Sequence, residues 1–544
     1  MAFWVDEIAD QIIAENPDPD REIILRDEKT ASGKVHIGSL RGVIIHGVLA
    51  EALNQKGRKA TFYYEINDVD PMDGLPVYLN EEAYTPYMGM PLKDIPAPDE
   101  NGFPTGEVTR ENNFARHYGN EFIEVIEKLG FNESSNTKFV WASDFYEAGN
   151  YDDWIKKACE KPDLVREIYK KTSGSEKRED WNPLQIVCEK CGKVGTTTVV
   201  DFDGELATYV CEKNKVTWAE GCGHEGKVAP FKGRGKLPWK VEWAAKWAGF
   251  PRPDGEIGVD VEGSGKDHNA AGGSHDVSSG ICKEILGAAV PFNVPYEFFL
   301  FGGAKMSASK GLGATAQEVS ETMPPELLRF LMVRSKPNKP IDFEISGDTI
   351  PRLYDNHDQC AEIYFDKNPE NPDLGRAFHY AQLDPSKIEH RFFPRFSKMA
   401  FVVQIPHLDP LEEVAKMKED PLSGPDEEEA AERSAFAKMW LDNFAGERSK
   451  FTIQQEIPEL AKALTADQKA FLKSIADVLS ENPDLGGEEL HGQIHELKNN
   501  SQLEPRDAFG AIYAALLGKE SGPQAGWFLE ALERDFVIKR FSNL

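Results

Sequence analysis

The segment that most constrains how this chain folds runs from residue 22 to residue 66. Glu22-Ile-Ile-Leu-Arg26 is a short apolar run that reads as a buried strand, and it leads into a turn, Thr30 to Lys34, that holds Ser32 and Gly33. His36 to Gln55 then spaces its apolar residues as a helix that Lys56-Gly57 stops, and Ala60 to Ile66 reads as a second strand. Strand, glycine turn, helix and strand make a βαβ unit, the building block of a parallel, nucleotide-binding sheet. Val259 to Phe301 repeats the order, ending on a strand from Tyr296 to Phe301, and completes the sheet.

A chain of 544 residues exceeds one ordinary core, and its 40% of hydrophobic residues exclude general disorder. Prolines at 76, 86, 91, 96, 98 and 104 mark Leu75 to Arg110 as an insertion over the surface. Cys188 to Gly226 reads as a cysteine-bearing strand module. Beyond Leu353 helical periodicity dominates, as in Ala461 to Leu479 and Pro505 to Leu517. The expected fold is α/β: a Rossmann-like parallel-sheet domain over 1–350, with the surface insertion at about 75–110 and a metal-binding module at about 185–228, then an all-α domain over 351–544. Asp409 to Arg433, rich in acid and interrupted by Pro421, Gly424 and Pro425, reads as a solvated connector.

The formal charge of -30 argues against attraction to nucleic acid over the whole surface. Fields beyond about 10 Å are screened at moderate salt, so local basic strips still suffice to hold RNA. No run of about twenty apolar residues occurs, and MAFWVDEIAD carries acid where a secretory signal carries base. The expected address is the cytoplasm, with no membrane partner.

Two motifs carry the chemistry. The first is Thr30-Ala-Ser-Gly-Lys-Val-His36-Ile-Gly38-Ser39, between a strand and the helix it opens. Backbone N–H groups there favour phosphate, His36 offers an uncharged donor, and Gly38 leaves room over the backbone for adenine. A serine–glycine turn before a helix is common, and a lone histidine there is as readily structural. The second is Lys305-Met306-Ser307-Ala308-Ser309-Lys310-Gly311, flanked by glycines. Two lysines and two hydroxyls on such a loop would neutralise departing pyrophosphate; standing alone, the same residues describe any soluble loop.

Together the motifs resemble the HIGH and KMSKS signatures of class I aminoacyl-tRNA synthetases. The resemblance implies an adenylate-forming ligase in which Ser32, Gly33, His36, Gly38, Ser39, His268, Lys305, Met306, Ser307, Ser309 and Lys310 bind ATP with Mg2+, and His36, Lys305 and Lys310 are catalytic. Ser39 stands where the second histidine of the first signature would be, and Ala308 where the second lysine of the other would be. Longer blocks, including Lys232 to Trp243, Gly265-Lys-Asp-His268 and Arg334 to Phe343, resemble the class I lysyl-tRNA synthetases. That likeness implies L-lysine and tRNA(Lys) as partners, and no DNA. A buried ammonium needs an acid and aromatic walls. The resemblance makes Glu242, Trp243, His268 and Tyr296 candidates for the lysine or ATP site, and Asp68 at the end of the second strand is a further candidate lysine contact; each of the four could equally be core, and Asp68 a turn cap.

Cys188, Cys191, Cys211 and Cys222 form a C-x2-C pair followed by two further cysteines, which points to a closed structural Zn2+ site, with His224 as an alternative to Cys222. Cys159, Cys282 and Cys360 read as buried structural residues. The helical half is where the anticodon would be read, and Arg391-Phe-Phe-Pro-Arg-Phe396 is either an RNA contact or a packed face. The rival readings are a glutamyl or cysteinyl enzyme of the same class, or a non-catalytic tRNA-binding paralogue.

Overall fold

In the computed structural model, residues 3–302, 304–305, 314–345, 347–366 and 369–544 are described, with backbone alone at 301, 304 and 305. Two compact units divide the chain, one comprising 1–343 with 366–386 and the other 344–365 with 387–544.

The first unit is built on a parallel sheet. Strand β1 (Ile23–Thr30) pairs in parallel with β2 (Ala60–Asn67), which pairs in parallel with β3 (Thr137–Trp141). On the other side of β1 the chain at 259–265 continues the sheet, through parallel bridges Leu25 to Val261, Val261 to Phe292 and Gly265 to Tyr296. All eight residues of β2 are buried, so its run of Phe62, Tyr63 and Tyr64 suits a strand covered on both faces. Farther along, Phe299–Phe301 pairs in parallel with Ile341–Phe343; only these last residues of the expected 296–301 strand form a ladder, Tyr296 being held by a single bridge.

The helix after β1, α2 (Leu40–Gln55), begins four residues later than its periodicity suggested, because Ile37–Ser39 form a tighter 3-10 turn. It is buried on nearly every side, so hydrophobic spacing could not mark its start. His46 pins it to the sheet: its Nδ1 lies 2.7 Å from the Gly42 carbonyl and its Nε2 accepts the Gly263 amide at 2.8 Å. Nδ1 therefore carries the proton of a neutral ring, and burial lowers its pKa accordingly.

Two expectations about surface segments are corrected. Residues 75–98 form short turns packed in at Tyr84, Leu92 and Ile95, which are fully buried, while 99–110 are largely exposed as expected of a surface insertion; the prolines interrupt regular structure without keeping the first part in water. Residues 409–433 are not a connector. They belong to helices Pro410–Lys418 and Gly424–Asn443, the second opened by a capping box in which Asp426 accepts the Ser423 amide.

The second unit is all helical in its described residues, around a core that includes Leu472, Ile475, Leu490, Ile494, Ile512, Leu516 and Phe528. Phe396 lies stacked on Tyr354 at 4.3 Å and is fully buried, so the Arg391 to Phe396 block is a packed face at that residue. Among the described residues no helix is long and apolar enough to cross a membrane. Arg433, 1% exposed, holds Asp358 through both terminal nitrogens and Glu429 through Nε. Arg433→Met strands these carboxylates and is expected to cost about 3–5 kcal/mol, read as a lower urea midpoint for the full chain.

Candidate active site and cysteine centre

The turn after β1 depends on Gly33. Its φ is +144°, and a Cβ there would lie 2.5 Å from the Tyr78 hydroxyl, which accepts the Lys34 amide at 2.6 Å. Ser32 is exposed, whereas His36, Gly38 and Ser39 are partly covered. His36 caps the 3-10 turn, and its backbone pairs with that of Thr315. On either side of that pair the Ile37 amide donates to the Ala314 carbonyl at 3.1 Å and the Ala316 amide to the Val35 carbonyl at 2.8 Å. The first motif is thus joined by backbone hydrogen bonds to the chain just past the second. Lys305 pairs through its backbone with Leu300, while Met306, Ser307, Ser309 and Lys310 lie outside the described residues.

The face of β1 that presents Arg26, Glu28 and Thr30 carries a buried cluster of charge. Arg26 donates to Glu65 at 2.9 and 3.0 Å, to both oxygens of Glu262 at 2.8 and 2.9 Å, and to Glu28 at 2.6 Å. Lys246, from helix Trp239–Gly249, reaches Glu28 at 2.6 Å and Glu65 at 2.7 Å. Burial would raise the Glu28 carboxyl, but Lys246 and Arg26 override it and hold it at about 2. Trp243 and Trp247 donate to the two oxygens of Glu262 at 2.6 and 3.1 Å. Lys236 joins Asp70 to Glu242, and Asp70 accepts the Thr30 hydroxyl at 2.8 Å.

Among the expected lysine contacts, Glu242, Trp243 and His268 come together. Glu242 is buried and accepts the Tyr146 hydroxyl at 2.6 Å, and the His268 ring lies 6.0 Å from Trp243 and 5.2 Å from Trp239. Tyr296 belongs to the opposite face: a Cβ on Gly42 of α2 would lie 2.8 Å from its hydroxyl and 2.4 Å from Asp27 Oδ2. Asp68 is turned away from this group. Its carboxylate accepts the Ser143 amide at 2.8 Å and hydroxyl at 2.6 Å at the start of helix Ala142–Glu147, and it lines a cavity of about 260 Å³ with Lys93, Arg110 and Arg116. The turn-capping alternative describes it, since a carboxylate satisfies free amides at a helix start.

Arg26, Glu28, Glu65, Lys236, Lys246 and Glu262 went unnoticed in the sequence. The signal was there: charged residues at alternate positions of a strand read as buried must be paired, though their partners come from three other segments.

The four cysteines converge. All four sulfurs lie within 4.8 Å of one another, with Cys188 to Cys222 and Cys191 to Cys211 both at 3.7 Å. A tetrahedron with metal–sulfur bonds of about 2.3 Å has edges of about 3.8 Å, so the set fits a closed four-thiolate site. His224 is not part of it; its ring lies 6.1 Å from that of Tyr209, and its carbonyl accepts the Cys211 amide. Cys159, Cys282 and Cys360 are buried elsewhere.

Comparison with known proteins shows the family. The family described as tRNA synthetases class I (K) matches residues 2–384, and an anticodon binding domain matches residues 437–544. A lysine–tRNA ligase 1 of Methanosarcina acetivorans is 33% identical over 99% of this chain and 97% of its own length, and a lysine–tRNA ligase of Thermoplasma volcanium is 31% identical over 100% and 99%. Among solved structures, a glutamate tRNA ligase from Elizabethkingia meningosepticum aligns with a TM-score of 0.42 and 12% identity over 96% of this chain and 99% of that one. The chain belongs to the class I tRNA synthetases, in their lysyl (K) family.

Asp27, on the α2 side of β1, offers a test of the electrostatics. Burial pushes its carboxyl up to about 7 from an ordinary 3.8. An acid whose folded pKa is raised binds its proton more tightly in the native state, so stability falls as pH rises from about 4 to about 7 and then levels off. Asp27→Asn should remove that decline, giving a flatter urea midpoint across this window than the parent chain.

Proposed function

We propose that this chain is a lysine–tRNA ligase, which activates L-lysine with ATP to lysyl-adenylate and pyrophosphate and then transfers lysine to the 3′-terminal adenosine of tRNA(Lys). The observation that carries the reading is the backbone pairing of His36 with Thr315, which brings the glycine turn beside the end of the lysine-bearing loop. The full-length likeness to lysine–tRNA ligases supports the substrate.

In this reading Ser32, Gly33, His36, Gly38 and Ser39 cradle the nucleotide, helped by His268. Lys305, Met306, Ser307, Ser309 and Lys310 close over its phosphates, which arrive with Mg2+. His36 donates to a phosphate oxygen while Lys305 and Lys310 offset the charge that grows on departing pyrophosphate, so catalysis rests on positioning and electrostatics and needs no covalent enzyme intermediate. Glu242 supplies the acid for the lysine side chain, with Trp243 and His268 as walls and Tyr296 approaching from the α2 side. Asp68, occupied with Ser143, acts through the backbone it holds. The Rossmann-like first unit catalyses and the helical second unit reads the anticodon of tRNA(Lys), in the cytoplasm.

The test is ATP–pyrophosphate exchange screened over all twenty amino acids, with and without tRNA. Lysine alone is expected to support it; exchange with glutamate or cysteine instead would refute the assignment. Lys305→Ala should lower the exchange rate by roughly 100-fold, the scale set by loss of one transition-state donor.

Cys188, Cys191, Cys211 and Cys222 hold one structural zinc, which would lock the strands of their module. Elemental analysis should find one zinc per chain, and Cys191→Ser should lose it along with resistance of 185–228 to proteolysis. A well-folded, metal-free protein would overturn this assignment.

A further inference from the structure

We infer that Asn67, the last residue of β2, is a specificity-determining residue of the amino-acid pocket, its side-chain oxygen and Glu242 together receiving the ε-ammonium of lysine. The inference rests on the proposed lysine activation and adds to it a residue that neither sequence motif nor family likeness had singled out.

Asn67 stands at the carboxyl end of a central parallel strand, the edge at which α/β sheets bind their ligands. It is 1% exposed. Its Nδ2 points to Glu242 Oε2 at 3.5 Å, which fixes the amide orientation because a carboxylate only accepts. That leaves Oδ1 as a buried acceptor without a hydrogen-bond partner among the described residues. Such a group costs about 1–3 kcal/mol unless a donor reaches it, so its persistence beside a carboxylate points to a ligand that donates.

Glu242 is held unevenly. Its Oε1 accepts the Tyr146 hydroxyl at 2.6 Å, but around Oε2 the donors stand off: Lys236 at 3.3 Å, Asn67 at 3.5 Å and Lys246 at 4.0 Å. Charge points the same way. The connected cluster sets five carboxylates, the buried Glu65, Glu242 and Glu262 and the partly exposed Glu28 and Asp70, against three buried cations, Arg26, Lys236 and Lys246. Burial accordingly raises the Glu242 pKa, with Lys236 and Lys246 only partly opposing it. A primary ammonium brings three donors and one positive charge on a narrow stem, which answers the orphan oxygen and the unevenly held carboxylate at once.

The experiment is lysine-dependent ATP–pyrophosphate exchange by the full chain, comparing Asn67→Leu and Asn67→Asp with the parent and using norleucine, which lacks the ammonium, as competitor. Asn67→Leu should raise KM for lysine at least tenfold, leave KM for ATP unchanged and shrink the preference for lysine over norleucine. Asn67→Asp, which keeps the acceptor, should stay within about threefold of the parent. Should Asn67→Leu not fold, Asn67→Ser, which withdraws the oxygen, is expected to show the same loss for lysine. An unchanged KM and unchanged preference in the leucine or serine variant, or a loss confined to kcat, would overturn the inference while leaving lysine activation intact. A parent chain that shows no lysine-dependent exchange would instead bring down the proposed function itself.

Discussion

The first unit is organised around Arg26. A guanidinium with no solvent exposure can exist only where carboxylates meet its donors, and here they come from β1 itself, from β2 and from the strand-like segment at 259–262. Each contact at about 2.8 Å attracts by roughly 6 kcal/mol at an effective dielectric of 20. Removing each ion from water costs several kcal/mol, so the cluster contributes little net stability. What it confers is arrangement. A slip of one residue in β1 would turn Arg26 to the α2 face and leave four buried charges unpaired, which ties strand register to charge pairing.

That arrangement reaches the site by two routes. Through Glu28 and Lys246 it anchors the helix Trp239–Gly249, whose residues Glu242 and Trp243 face the same charges. Through Thr30, Asp70 and Lys236 it ties the end of β1 to Glu242. On the other face of the sheet, His46 fastens α2 to Gly263, and Gly42 lets Asp27 and Tyr296 close against that helix. The glycine turn between β1 and α2 is therefore held at both ends before the chain at 314–316 pairs with it. Under the proposed function, a turn so anchored would need little rearrangement to meet a phosphate, which is the sense in which such a site is preorganised.

Much of this was legible in the residues. The βαβ order of 22–66, the helix Pro505–Leu517 and the convergence of four cysteines follow from periodicity and spacing, because those signals are local or repeat a ligand geometry. The packing of 75–98 was not, since prolines report the lack of regular structure and say nothing about burial. Nor was the helical nature of 409–433, where acidic residues that look solvated serve as caps or as partners of Arg433. The partner of Asp68 was hidden for a related reason: a carboxylate after a strand serves a helix start as readily as a ligand, and Ser143 is 75 residues away in sequence.

The sequence by itself pointed to the class of chemistry: the motif pair at Thr30 to Ser39 and Lys305 to Gly311 resembles the signatures of one enzyme class, and the cysteine spacing repeats a metal-ligand pattern. Tertiary structure decided which acids remain available to a substrate. Glu28, Glu65 and Glu262 are engaged by Arg26 and Lys246, and Asp70 by Lys236; Glu242 is held at longer range by Lys236 and Asn67, and Asn67 Oδ1 is left without a hydrogen-bond partner among the described residues. The reason is physical. A motif is set by neighbours along the chain, but the partner of a buried charge is set by whichever strand or helix the fold lays across it, and no spacing within one segment encodes that.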